Sequence, residues 1–266
     1  MRKVLITGGN RGLGFKLAEV LSPKHHILLT ARNLSSLNEA KRKITAIVPN
    51  ASITTQELDV SRFDSVKAFH KWMLSTNTTV DVIVNNAGVN DENQLENKAF
   101  DIMNTNLFGI INLTETILPQ LTQDGKIILI SSMLGKLKLQ PPSTQKLLQE
   151  KLTKQQILQF ARDLIHNYKE GNYGIWSSHI QPLYKVSKVL TNAYARHVLA
   201  DLVQPNQSIF CVHPGWVKTD MGGPKAPGEV KDGIFTSRYL IEELPYGRNP
   251  QYHAKYFNDK AQIEDY

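Results

Sequence analysis

Short, almost uninterrupted apolar runs alternate with longer amphipathic stretches through the first half of this 266-residue chain. Val4–Thr7, Ile27–Thr30, Ile53–Leu58, Val80–Val84 and Lys126–Ile130 read as strands, mostly with little polar alternation. Strands of that kind are buried on both faces, as in a parallel sheet flanked by helices. Between them, Leu13–Leu21, Leu34–Ile47, Phe63–Leu74 and Phe100–Leu118 carry the helical period. The βαβαβ order predicts an α/β fold: a doubly wound parallel sheet with helices on both faces and a ligand crevice at the carboxyl ends of the strands. After residue 183 the pattern resumes with a long helix over Leu183–Leu202 and a sixth strand at Ser208–Val212. A helix over Glu229–Leu244 and a short last strand at Lys255–Asn258 follow. No internal repeat, low-complexity tract or Gly/Ser linker divides the chain, so residues 1–266 are read as a single domain.

Residues 133–183 break the rhythm. A basic, proline-containing stretch leads into Leu147, Leu148, Leu152, Ile157, Phe160, Ala161, Leu164, Ile165 and Tyr168 at helical spacing. Thr153 and Gln156 have the spacing of a capping box that would start the second of two helices. The segment is read as a helical insertion that covers a surface.

Composition narrows the function classes. With 41% hydrophobic and 21% charged residues, the chain can bury a core and is not of the disordered type. A single cysteine, Cys211, excludes a disulfide framework and multi-cysteine metal sites, and its apolar setting reads as a buried thiol. No histidine pair has ligand spacing with a carboxylate nearby, so no metal is expected. The apolar runs fall far short of the roughly 18 residues that span a bilayer. Met1-Arg2-Lys3 leads straight into a strand, without the apolar core of about 7–15 residues of a signal peptide. A soluble, cytoplasmic protein is expected, in which the Asn-x-Ser/Thr triplets at Asn33, Asn50, Asn77, Asn112 and Asn206 carry no weight. The net charge of +7 leaves nucleic acid, a membrane surface and an anionic small ligand all open.

The turn after the first strand points to the third of these. Thr7-Gly8-Gly9-Asn10-Arg11-Gly12-Leu13-Gly14 lies between a strand and a helix. Glycines allow the backbone to approach a phosphate, and the helix start offers free N–H groups and a partial positive charge. Gly8, Gly12 and Gly14 give G-x-x-x-G-x-G; the placement, more than the spacing, marks a dinucleotide site. An acidic residue at the end of the second strand would bind the ribose hydroxyls of NAD, but Thr30-Ala31-Arg32 stands there. Arg32 and Arg11 together could clamp a 2′-phosphate, which selects NADP(H).

Tyr184-Lys185-Val186-Ser187-Lys188 places Tyr184 and Lys188 on one helix face. An ammonium beside a phenol favours the phenolate, which would bring the tyrosine down from its usual value of about 10 towards the working pH. Such a pair is common by itself; its company makes it specific. Ser131-Ser132 follows the fifth strand, Asn85-Asn86-Ala87-Gly88 ends the fourth, Asn106 lies in the next helix, and His213-Pro214-Gly215-Trp216-Val217-Lys218-Thr219-Asp220 ends the sixth.

With these motifs in order from residue 3 to about 221, the chain resembles the short-chain dehydrogenase/reductase family, joined by Asp59-Val60 after the third strand. The resemblance implies a Rossmann-type domain with Tyr184 as proton donor to a substrate carbonyl. Ser132 would hold the carbonyl oxygen, Lys188 would bind the nicotinamide ribose and lower the Tyr184 pKa, and Asn106 would hold a water for proton relay. Asn86 and Asp59-Val60 would line the adenosine side, and Val217 and Thr219 would meet the carboxamide and phosphates. Asn10, Leu13, Ala87, Gly88, Pro214 and Gly215 belong to the same cofactor-binding motifs. Ser131 and Ser132 point to opposite sides of a strand; the family uses the second serine of such a pair.

The 52 residues from Ser132 to Tyr184 depart from the dozen or so usual in the family. They resemble the insertion of its carbonyl-reductase-like, NADPH-dependent branch. Helices there would cover the face on which oligomeric relatives pair, so a monomer is expected. Met133 and Trp216, with Trp176, Tyr173 and Ile175, could wall an apolar substrate pocket, and Met221–Leu244 could close over it.

The expectation is therefore an NADPH-dependent carbonyl reductase acting on a ketone, aldehyde or quinone. A dehydrogenase of a specific steroid- or terpenoid-like alcohol and a non-catalytic NADP sensor are the alternatives. The excess charge then needs no nucleic acid or membrane: the insertion carries seven basic and three acidic residues, and Arg11, Arg32 and Lys188 serve the cofactor.

Overall fold

The computed structural model describes residues 1–90, 98–168 and 170–265. Its eight strands, β1 (Lys3–Thr7), β2 (His26–Ala31), β3 (Ser52–Glu57), β4 (Val80–Asn85), β5 (Leu121–Ile130), β6 (Ser208–Val212), β7 (Lys255–Phe257) and β8 (Ile263–Glu264), form one sheet. The order is β3-β2-β1-β4-β5-β6-β7-β8, parallel throughout except for β8, which runs antiparallel to β7. The chain crosses back over β1 on its way from β3 to β4, so the switch point lies between β1 and β4.

Both sheet faces are covered, which is why the strands carry little polar alternation. Leu5, Leu28, Ile83, Ile127, Leu129, Ile209 and Cys211 enter one core. Their neighbours Val4, Ile6, Ile27, Leu29, Val82, Val84, Ile128, Phe210 and Val212 enter the other, as the two-residue strand period requires. Helices α1 (Gly12–Leu21) and α2 (Leu34–Ile47) cover the second face, with α10 (Val230–Gly233) and α11 (Phe235–Glu242). The first face takes α3 (Phe63–Ser75), α4 (Lys98–Met103), α5 (Gly109–Ile117), α6 (Pro142–Gln149), α7 (Lys154–Tyr168), α8 (Pro182–Tyr194) and, after it, α9 (Ala200–Leu202).

Three long helices of the sequence reading are interrupted. The stretch from Phe100 to Leu118 is α4 and α5 joined by a wide π turn at Asn104–Phe108, and Leu183–Leu202 contains a second at Ala195–Leu199. The first keeps close to the β3–α3 loop: the Asn104 amide donates to Ser61 O at 2.8 Å, and a Cβ on Gly109 would stand 2.8 Å from Val60 O. Glu229–Leu244 breaks between α10 and α11 at Ile234. Strand β8, two residues long, carries no period to read.

The insertion folds as two 3-10 turns, Met133–Gly135 and Leu137–Leu139, followed by α6 and α7. The capping box forms: Thr153 N–H donates to Gln156 Oε1 at 2.9 Å and Gln156 N–H to Thr153 Oγ1 at 3.2 Å. Helix α7 lies against α4 and α8, and every residue of α8 from Leu183 to Tyr194 is buried. Away from the crevice, the fully buried Lys126 of β5 donates to Leu240 O and Leu244 O, each at 2.6 Å, at the end of α11, with the Tyr246 ring 3.8 Å away. Burial pushes this lysine down to about 7. No helix of the described residues is long and apolar enough to cross a membrane.

Candidate active site

A cleft of about 870 Å³ opens at the carboxyl ends of the strands around the switch point. The glycine loop forms one end. Gly8 and Gly12 have φ of +64° and +59°, a conformation other residues adopt at a cost, and a Cβ on Gly14 would stand 2.5 Å from the Asn86 amide nitrogen. Arg11 makes no side-chain cap to α1, and the first turn of that helix holds no acidic residue. Its N–H groups and positive dipole end are left to an anion in the cleft.

Thr7, which the sequence reading did not single out, ties this loop to the end of β4. Its Oγ1 accepts from Asn86 N at 3.0 Å and Ala87 N at 2.9 Å while donating to Val84 O at 3.3 Å. The Asn86 amide in turn donates to Thr7 O at 2.8 Å and Gly8 O at 3.2 Å, so its nitrogen builds the loop. A buried threonine at a strand end has no distinctive sequence signal. Asn10, Leu13, Arg32, Asp59, Val60 and Gly88 line the same cleft. Asp59 Oδ1 already accepts from Ser61 N at 3.0 Å and Ser61 Oγ at 2.6 Å.

The residues fit a 2′-phosphorylated dinucleotide. Ala31-Arg32-Asn33 puts an arginine and no carboxylate where β2 meets the cleft, and Arg11 lines it as well. Arg11 is not idle: Nη1 lies 2.5 Å from Asp220 Oδ2, bridging the glycine loop and the loop after β6. Both side chains are about two-thirds exposed (68% and 69%), and such a surface pair is weak enough to yield to a phosphate.

At the other end, Tyr184 and Lys188 project from the first turns of α8, both buried. The side chains of Ser132 and Tyr184 are hydrogen-bonded to each other. Ser132 Oγ also accepts from Leu134 N at 3.2 Å, as the cap of the 3-10 turn after β5. Ser131 lines the cleft too, but its hydroxyl has no hydrogen-bond partner among the described residues, and a Cβ on Gly135 would meet it at 2.9 Å. Of the two serines, Ser132 engages the phenol.

Lys188 Nζ donates to Ile130 O at 2.7 Å and lies 5.5 Å from the centre of the Tyr184 ring. Burial pushes it down to about 8. The Tyr184 phenol departs from the sequence expectation: burial raises its pKa, with the Ser132 hydrogen bond pulling the other way. Desolvation of the phenolate is the larger of the two effects. Tyr184 is thus in its protonated, donating form at neutral pH.

Asn106, in the π turn, has its carboxamide committed. Oδ1 accepts from Val89 N at 2.8 Å, while Nδ2 donates to Val89 O at 2.9 Å and Ser187 Oγ at 3.1 Å. Its backbone carbonyl accepts from Thr191 Oγ1 at 3.0 Å.

After β6, Pro214, Gly215, Trp216, Val217 and Thr219 all line the cleft. The loop is closed on itself by a Val217–Gly228 bridge, a Lys218–Glu229 pair at 2.5 Å and the Trp216 indole donating to Gly222 O at 2.8 Å. Met133 and Trp216 reach the cleft, as does Met221 at the start of the stretch expected to cover it; so do Ile180 and Gln181, which sequence reasoning passed over because apolar or amide residues in loops carry no motif. Trp176 does not: it packs edge-on against Phe160 in the core, and Tyr173 packs against Tyr168. Cys211 is buried and its thiol pushed up to about 12. Among the described residues no group of three His, Cys, Asp or Glu is placed to hold a metal.

A doubly wound sheet with a glycine loop at its switch point, facing a Ser–Tyr–Lys set across one cleft, defines a dinucleotide-dependent oxidoreductase of the Rossmann type. Residues 2–144 match the family model described as short chain dehydrogenase, and the chain belongs to that family. It is similar to Carbonyl reductase (NADPH) 1 of Rattus norvegicus, 28% identical over 268 residues that cover 96% of this chain and 95% of the relative. The Mus musculus protein of the same name is 29% identical over 272 residues, with 96% and 95% covered. Among solved structures, salutaridine reductase from Papaver somniferum superposes with a TM-score of 0.81 at 25% identity, over 92% of this chain and 96% of that one. Menthone neomenthol reductase from Mentha piperita shares the fold, with a TM-score of 0.79 at 21% identity over 97% and 98% of the two chains.

Proposed function

We propose that this protein is an NADPH-dependent carbonyl reductase, working as a monomeric single-domain cytoplasmic enzyme on a small ketone, aldehyde or quinone. The observation that carries the reading is the buried Ser132–Tyr184–Lys188 set, its phenol protonated, at the far end of a cleft whose near end is a glycine loop with Arg32 beside it. The reduced nicotinamide supplies the hydride. Residues Gly8–Gly14 would hold the pyrophosphate, and Arg32 and Arg11 would hold the 2′-phosphate, for which Arg11 would have to leave Asp220. Ser132 donates a hydrogen bond to the substrate oxygen, and Tyr184 gives that oxygen its proton as negative charge develops there. Lys188 would hold the ribose while donating to the Ile130 carbonyl, and Asn106 fixes the Gly88–Asn90 turn against α8 and would hold a relay water. Orientation of the two reactants in the cleft does the remaining work.

The monomer is supported by α8, whose residues from Leu183 to Tyr194 are all buried within the chain. Purified protein should consume NADPH with members of a panel of quinones, aldehydes and diketones. Tyr184→Phe should abolish turnover while NADPH binding, followed by fluorescence titration, stays within about twofold, since the phenol contributes to the reaction and little to affinity. Binding of NADPH without consumption across the whole panel would reject the reductase in favour of a sensor.

A further inference from the structure

We propose that Tyr256 is a positioning residue for carbonyl reduction, holding Ser132 so that its hydroxyl stays on the Tyr184 phenol; the proposal rests on the reading just given. The pairing of β5 with β6 ends just before the reacting groups: Ser131 N still donates to Val212 O at 2.7 Å, and the chain then turns into Met133–Gly135. Ser132 therefore sits one residue past the sheet. Its carbonyl is taken by the Tyr256 hydroxyl, which donates to it at 2.7 Å from β7, two strands away. Fixing that carbonyl fixes the peptide plane after Ser132; together with the ladder bond of Ser131 before it, this restricts the direction of the Cα–Cβ bond that carries Oγ.

Tyr256 is itself held. It is 1% exposed, pairs in register with Cys211, and lies against the His213 ring with centroids 5.5 Å apart. His213 Nδ1 accepts from Gly215 N at 3.3 Å, and Nε2 faces Glu264 Oε2 at 3.5 Å. The same Glu264 oxygen pairs with Lys136 at 2.5 Å, just after the Ser132 turn, while Asn258 donates to its other oxygen at 3.1 Å. The hairpin β7–β8 thus grips the segment after Ser132 at two points, Tyr256 on the Ser132 carbonyl and Glu264 on Lys136. Outer-shell contacts of this kind matter because a misplacement of about 1 Å can cost a hundredfold in rate.

The alternative is a core tyrosine whose hydroxyl merely found a partner. A double-mutant cycle with Ser132 separates the two. Tyr256→Phe removes one hydroxyl; single-turnover hydride transfer from NADPH to an aromatic 1,2-diketone should fall about tenfold, with the Kd for NADPH unchanged. In a Ser132→Ala background the same substitution should cost less than about twofold. Equal losses in the two backgrounds would overturn the proposal. A second readout needs no turnover. With tyrosines labelled at 13Cζ and Tyr184 assigned through Tyr184→Phe, the Tyr184 titration should move upward in Tyr256→Phe, because the Ser132 hydrogen bond opposes that rise. It should not move when Ser132 is already alanine. A midpoint that stays put with Ser132 intact overturns the proposal, whether or not any diketone is reduced. Should Tyr256→Phe fail to fold, 3,5-difluorotyrosine at position 256 keeps the shape with a more acidic hydroxyl. It should then bring an alkaline loss of hydride transfer that Ser132→Ala abolishes; no loss, or one indifferent to Ser132, rejects the assignment.

Discussion

Arg32 leaves the end of β2 beside the cleft, and among the described residues no carboxylate is paired with it. Arg11 reaches the same cleft but shares its charge with Asp220. A 2′-phosphate can take both guanidiniums, whereas a 2′-hydroxyl takes neither as a charge partner. Arg32→Asp should therefore invert cofactor preference, lowering kcat/KM with NADPH by about a hundredfold or more and improving it with NADH. Steady-state rates with the two cofactors check this, and an unchanged ratio would remove Arg32 from the clamp. These arginines, with Ser132, Tyr184 and Lys188, were legible in the sequence because each belongs to a spaced motif on an element of readable period. Thr7 and Tyr256 were not: a threonine ending a strand and a tyrosine in a three-residue strand act through backbone groups that are remote along the chain.

Among the elements, α7 owes its start to Thr153 and Gln156, and its buried Ile157, Ala161 and Leu164 lay it against α8. Capping is worth about 1 kcal/mol. Thr153→Ala should lower the free energy of unfolding by about that much in urea melts and leave kcat unchanged, because the cap is exposed and absent from the cleft. A loss under about 0.3 kcal/mol would mean that packing alone holds the helix. The α4–α5 stretch shows where an element escapes reading. Its helical period runs unbroken through Asn104–Phe108, yet the backbone widens there into a π turn that places Asn106 against Val89. Such a turn inserts a single residue and has no composition of its own by which to be read.

On the scale of the whole molecule, the insertion closes the face of α8, so light scattering should give a mass near the 30.0 kDa of one chain. A mass twice as large would show that another surface pairs. The buried bases set the response to pH. Lys126 and Lys188 fall from 10.5 to about 7 and about 8, and His253 from 6.5 to about 4, each chiefly by desolvation. Between the folded and ordinary values the unfolded chain binds more protons, so stability rises with pH through those windows. Tyr246, raised from 10.0 to about 12, acts in the opposite sense above pH 10, where the unfolded phenol ionises first. The Tm should climb from pH 5 to about 9 and turn over near 10. A maximum at or below pH 6 would mean that these lysines keep their protons at no cost, and Lys126→Met should flatten the rise above pH 7.

The sequence by itself determined the doubly wound parallel sheet, the crevice at its carboxyl ends and the motif residues that line it. Burial on both faces leaves continuous apolar strands, and the glycine loop and the Tyr–Lys spacing are local constraints that a chain carries openly. Only the tertiary structure decided the proton chemistry and its support. The direction of the Tyr184 shift depends on how deeply the phenol is buried and on its hydrogen bond with Ser132, and both are set by packing between α8 and the end of β5. The hold on Ser132 is equally non-local: Tyr256 lies 124 residues away along the chain and one hydrogen bond away in space.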